Sequence, residues 1–77
     1  MIKYYRIHSG IVRDSYYRES PFSLTYYYDG DLIPSVYSSM EVLLEEERKF
    51  YENIDDITFE ITEDVFNAGI LMQELIS

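Results

Sequence analysis

The stretch that decides the fold is Phe22-Ser23-Leu24-Thr25-Tyr26-Tyr27-Tyr28-Asp29-Gly30-Asp31-Leu32-Ile33-Pro34. Asp-Gly readily takes the positive φ of a two-residue hairpin turn, so the residues on either side read as antiparallel arms. In the first arm Leu24, Tyr26 and Tyr28 alternate onto one face. In the return arm, residues 31–37, Pro34 donates no ladder hydrogen bond, which makes that arm short or places it at a sheet edge.

Toward the N-terminus, residues 2–8 are rich in Tyr and Ile and read as a strand ending at the turn residues Ser9-Gly10. Ile11 to Arg18 is compatible with a second strand or a short helix, and Pro21 breaks the chain before the hairpin. Toward the C-terminus, Ser38 and Glu41 have the spacing of a capping box. Met40, Leu43, Leu44, Phe50, Tyr51 and Ile54 then recur at helical spacing, predicting a helix over 38–54. Glu41, Glu45, Arg48 and Glu52 fall on its opposite side, with Glu45 and Lys49 as an i,i+4 pair. Ile57, Phe59 and Ile61 alternate with Thr58, Glu60 and Thr62, predicting a half-buried strand over 56–62. Thr62 caps a last helix, 62–76, with Glu63 and Asp64 at its positive end. The expected architecture is α+β: residues 1–77 form a single domain in which a small antiparallel sheet, from the mainly β residues 1–37 plus the later strand, carries two packed helices.

Six Lys+Arg against fifteen Asp+Glu give the 77-residue chain a net charge of −9, and 47% of it is apolar. That composition suits one small packed domain with stability on the order of 4–11 kcal/mol. The charge is segregated. Residues 1–28 carry a net +2 and seven of the nine tyrosines, whereas residues 29–77 carry a net −11. Direct binding to duplex DNA is not expected, since phosphate neutralisation needs a surplus of Lys and Arg. No apolar run reaches the about 18 residues of a membrane span. Met1-Ile2-Lys3-Tyr4-Tyr5-Arg6 lacks a secretory h-region, so an intracellular protein is expected.

Catalytic signatures are missing. His8 is the sole histidine and there is no cysteine, so Ser/His/Asp, Cys/His and HExxH arrangements have no basis. Asp29-Gly30-Asp31 lacks the further ligands of an EF-hand loop and reads as the hairpin turn. No phosphate-binding glycine loop occurs. The expectation is a non-enzymatic protein without cofactor or metal. Glu47 stands out because it falls in the middle of the predicted helix's apolar stripe. Its carboxylate should meet an N-terminal arginine or a tyrosine hydroxyl, or lie at a rim, since an unpaired buried charge is costly.

Two surfaces are candidates for binding. One is acidic: Asp29, Asp31, Glu41, Glu45, Glu52, Asp55, Asp56, Glu60, Glu63 and Asp64 are spaced like phosphates along a nucleic-acid strand and suit a basic groove. Consecutive tyrosines in strands point to opposite faces, so Tyr5, Tyr17 and Tyr27 are expected as exposed aromatic anchors beside it. The other is the last helix, which is apolar nearly all round. Ile70, Leu71 and Leu75 are expected to form an oligomer face, and the mid-helix Gly69 to permit close approach of another element.

As a short, acidic, cysteine-free, tyrosine-rich domain, the chain resembles the small phage-encoded proteins that inhibit host nucleases, the anti-restriction and anti-CRISPR inhibitors, many of them DNA mimics. The resemblance lies in size and charge and carries over no individual residue. It implies a stoichiometric inhibitor acting in the cytoplasm of an infected bacterial host on a nucleic-acid-processing enzyme with a basic groove. The second reading is a structural or adaptor module that self-associates, as a homodimer, through its C-terminal helix.

Overall fold

The computed structural model describes residues 1–10 and 13–76. Its elements are β1 (Lys3–Ile7), β2 (Ser15–Glu19), β3 (Leu24–Tyr28), β4 (Asp31–Pro34), α1 (Met40–Glu47), β5 (Thr58–Ile61) and α2 (Glu63–Ile76). Asp29 and Gly30 turn with φ of 50° and 94°, and the arms pair from Tyr28↔Asp31 to Thr25↔Pro34. Among the described residues the strands form one antiparallel sheet in the order β4-β3-β2-β1-β5. The Pro34-bearing arm is therefore both short and at an edge, where a missing N–H costs least. Ser15–Glu19 forms the second strand, while Ile11 and Val12 of the longer predicted stretch lie outside the described residues.

The two helices cover opposite faces of the sheet. Tyr4 and Tyr5 are consecutive strand residues, so their rings leave on opposite sides. Tyr4 meets Phe66 of α2 with ring centroids 4.8 Å apart. Tyr5, Ile7 and Tyr17 pack instead with Leu24, Met40 and Leu43, the last two from α1. Tyr16 repeats the pattern on the α2 side. Its ring lies edge-on to Phe66 at 6.1 Å, and it occupies the space that a Cβ on Gly69 would need. Gly69 thus serves the close approach expected of it, and the approaching element is β2.

This two-sided cover corrects the expected exposure of the tyrosines. Tyr5, Tyr17 and Tyr27 are all partly buried. The alternation holds, but each face has its own helix, so neither ring of the Tyr4–Tyr5 and Tyr16–Tyr17 pairs is left open. Tyr28, beyond the cover of either helix at the end of β3, is the exposed ring of that strand.

The first helix also departs from its predicted span of 38–54. Its N-cap is Ser39, one residue later than the predicted Ser38, accepting from the Val42 N–H, so the Ser38–Glu41 box does not form. The Met40 N–H is taken by the carboxylate of Glu19 at 2.8 Å, which ties β2 to the start of the helix. The helix ends at Glu47 with no base in its last turn. Glu45, Glu46 and Glu47 crowd negative charge onto the negative end of the helix dipole, an unfavourable placement. Beyond it the backbone tightens into successive turns, with Lys49 N–H donating to the Glu46 carbonyl and Phe50 N–H to that of Glu47. Lys49 pairs with Glu46 at 3.1 Å, not with Glu45. Ile54 from this segment is buried beneath it, whereas Phe50 and Tyr51, predicted on the apolar stripe, are exposed.

β5 and α2 follow the sequence closely. Thr62 caps α2 through its hydroxyl, which accepts from the Val65 N–H at 3.2 Å. Phe59 on the edge strand is more open than its alternation predicts, with the Arg6 guanidinium 5.5 Å above its ring. Among the described residues no helix is long and apolar enough to cross a membrane.

Candidate partner-binding site

The end of α1 and the turns after it bring acidic and aromatic side chains onto one surface. Arg48, the C-cap of α1, reaches forward to Asp55 in a forked pair, Nε to Oδ2 at 2.6 Å and Nη2 to Oδ1 at 2.8 Å. A fork of this kind fixes orientation as well as distance. It therefore ties Arg48 to Asp55 across the turns between them. The hydrogen bond from Arg48 holds the Asp55 carboxyl below its ordinary 3.8, and Glu45 and Glu41 add to the field around the guanidinium. Glu41, Glu45 and Asp55 thus form one ridge along the outer side of α1, and the exposed Glu52 and Asp56 belong to the clamped turns.

Within the clamped turns Phe50 is 78% exposed and Tyr51 57% exposed. Large aromatic rings held out into solvent by a braced backbone have the character of interface anchors. Beside them opens a cleft of about 430 Å³, lined by Ile7, Tyr17, Leu43, Glu47, Tyr51 and Ile54 among others. Glu47 is half-buried at this cleft. Its carboxylate makes no hydrogen bond or ion pair among the described residues, and the neighbour it acts on is Tyr17. The phenol of Tyr17 is raised above its ordinary 10.0, first by burial and then by the Glu47 charge. A carboxylate at an apolar, tyrosine-lined opening suits the end of a basic side chain whose aliphatic stem lies on Ile7, Leu43 and Ile54.

The remaining predicted acids lie elsewhere. Asp29 and Asp31 sit at the β3–β4 hairpin, and Asp29 lines a separate polar cleft of about 720 Å³ together with Arg13, Tyr27 and Gln73. Glu60 lies on β5, at the opposite sheet edge. Glu63 and Asp64 begin α2 on the other face, where Glu63 accepts from the Tyr4 hydroxyl at 2.8 Å. Five of the ten acids are therefore gathered around α1 and its turns, and five are not. The N-terminal bases serve the fold in part. Arg6 approaches Asp14 at 3.9 Å, and Asp14 also meets His8 Nδ1 at 2.9 Å.

Of the predicted oligomer face, Leu71 and Leu75 are exposed, but Ile70 is half-buried because it falls one turn beyond Phe66 on the packed side. Among the described residues no three His, Asp or Glu side chains converge as metal ligands. No family model, no curated protein and no solved structure matches this chain.

Proposed function

We propose that this protein is a non-catalytic, stoichiometric inhibitor of a nucleic-acid-processing enzyme, of the kind that anti-restriction and anti-CRISPR proteins represent. It occupies the enzyme's basic groove with the outer side of α1 and the turns after it. The observation that carries this reading is the exposure of Phe50 and Tyr51 on the segment clamped by Arg48 and Asp55, among Glu41, Glu45, Glu52 and Asp56. The acids supply attraction and steering toward a basic surface, and the rings supply apolar contact area at low entropic cost. Glu47 receives one basic side chain in its cleft. Inhibition follows from occlusion of the groove, and no bond is made or broken. Action on such an enzyme places the protein in the cytoplasm of the cell that holds it.

The test is a pull-down from bacterial lysate with the tagged protein, washed with or without excess duplex DNA. A nucleic-acid enzyme retained without DNA and displaced by it is the expected result. Its purified form should then lose at least tenfold in affinity for Glu45→Lys/Glu52→Lys and for Phe50→Ala/Tyr51→Ala. Retention indifferent to both DNA and these substitutions overturns the reading. The second reading, a structural or adaptor module, is favoured by the open apolar face of α2, and self-association without any enzyme partner selects it.

A further inference from the structure

The two edges of the sheet differ in what they leave unpaired. On β5 the register sets Phe59 opposite Arg6 and Ile61 opposite Tyr4, and the His8 N–H donates to the Ile57 carbonyl at 2.8 Å. Hydrogen-bonded pairs recur at every second residue of an antiparallel ladder, so residues 57, 59 and 61 turn their backbone groups toward β1. The alternate residues turn theirs away from the sheet. The Glu60 N–H and carbonyl, the Thr58 carbonyl and the Thr62 N–H therefore line the open edge, and no hydrogen bond among the described residues takes them up. β4 is different. There the Ser35 N–H donates to the Leu24 carbonyl and Ile33 pairs with Tyr26. Leu32 and Pro34 are then the outward residues, and Pro34 has no N–H to offer. That edge is blunted, whereas the β5 edge has no proline.

The charge around the open edge has one sign. From Asp55 to Asp64 the chain carries Asp55, Asp56, Glu60, Glu63 and Asp64 and no base. Glu60 itself is exposed. Its side chain leaves the sheet on the α1 face, as does that of Tyr5 opposite it, while Phe59 and Ile61 leave on the α2 face.

We infer that this edge takes up an extended basic segment of a partner protein as a further antiparallel strand, with a lysine or arginine opposite Glu60. Only an extended chain presents N–H and carbonyl groups at the spacing of the open edge, and the antiparallel direction continues a sheet that is antiparallel throughout. Charge decides which extended chain. A basic side chain opposite Glu60 is stabilising and an acidic one is destabilising. A second copy of this protein is disfavoured on that ground: joining two β5 edges through these groups sets one Glu60 opposite or diagonal to the other, between molecules each of charge −9. Glu60 thus guards the edge against self-pairing and leaves it open to a basic strand. Phe59, 44% exposed under the Arg6 guanidinium, offers the added strand an aromatic contact on its other face. Glu60, which stands apart from the α1 ridge, thereby gains a contact of its own, whatever the ridge binds.

The probe is a short capped peptide of alternating lysine and valine, followed by amide NMR of the protein. At saturation the Glu60 and Thr62 amides should shift downfield and exchange with solvent roughly tenfold more slowly. With lysine opposite Glu60, the lysine backbone groups face β5 and the valine groups face away. N-methylation of the lysines keeps every charge and should weaken binding about tenfold or more, whereas N-methylation of the valines should leave it unchanged. Glu60→Lys should lose the lysine peptide and admit its glutamate analogue, with circular dichroism unchanged. Should Glu60→Lys fail to fold, the two methylated peptides on the wild type supply the same reading. Binding indifferent to methylation of the lysines, or shifts confined to the α1 ridge with Glu60 and Thr62 unmoved, overturns the inference.

Discussion

Gly69 costs α2 about 1 kcal/mol of intrinsic helix stability relative to alanine, yet it is the residue at which the helix can least accept a methyl group. A Cβ there would overlap the Tyr16 ring, and that ring is held in place by Phe66 behind it. Gly69→Ala should therefore destabilise the fold by about 1–3 kcal/mol through overpacking, despite the better propensity. Urea denaturation followed by circular dichroism measures this, and an unchanged or raised midpoint would show that Tyr16 has room to move. Glu47 and Tyr17 give a second residue-scale test. The Tyr17 phenol is raised in the folded protein by burial and by Glu47, while in the unfolded chain it titrates near 10. Above about pH 10 the unfolded state thus loses its proton first, and stability falls as pH rises toward the folded value. Tyr4, Tyr5 and Tyr27 are shifted in the same direction. Glu47→Gln removes the charge but leaves the burial, so the Tyr17 pKa should move part of the way back toward 10 and the alkaline loss of stability should become shallower. Ring resonances of Tyr17 and urea midpoints between about pH 9 and pH 11 report both effects.

The clamped turns between α1 and β5 are the element on which the proposed site depends. Their order comes from the Arg48–Asp55 fork and from Ile54 buried beneath them. The fork is exposed, so its loss should hardly move global stability. Locally the effect is larger. Arg48→Ala or Asp55→Asn should speed amide exchange at Tyr51, Ile54 and Asp56, whose N–H groups close the successive turns, and should weaken partner binding by freeing Phe50 and Tyr51. Acid acts in the same way. The Asp55 carboxyl is held below 3.8, so its contribution is present above about pH 4 and is lost as pH falls through the lowered value. Exchange rates unaffected by either substitution would show that Ile54 alone holds the segment. This is also the element that sequence reading misplaces. Phe50 and Tyr51 continue the apolar period of α1, but periodicity records which side chains are apolar and not whether the backbone keeps its i−4 bonds. The legible warning is Glu45-Glu46-Glu47, three acids at what becomes the C-terminal end. Three pieces of local punctuation are read correctly, whereas the Ser38–Glu41 box is displaced by one residue to Ser39. The Asp29-Gly30 turn, the edge arm with Pro34 and the Thr62 cap each have a local cause. That the helices take opposite faces has none, because it depends on how α1 and α2 cross the sheet. Tyr5, Tyr17 and Tyr27 therefore end up covered although their alternation is as read.

At the scale of the whole molecule, a charge of −9 on 77 residues acts on its two proposed contacts with opposite signs. The complex with a basic groove joins unlike charges. Salt screens that attraction with a Debye length of about 10 Å at 0.1 M, so raising salt from 50 to 500 mM should slow association and weaken binding steeply, with most of the change in the on-rate. Self-association through α2, the second reading, joins two chains of like charge along a face that is itself apolar. Screening relieves their mutual repulsion and leaves apolar contact through the exposed Leu71 and Leu75 intact, so self-association should tighten several-fold over the same range. Titrating salt in both assays separates the contacts without any substitution. Two curves falling together would place the acidic residues in both interfaces and remove the division of labour between α1 and α2. A partner affinity indifferent to salt would leave Phe50 and Tyr51 as the binding determinants and the acids as solubilising charge.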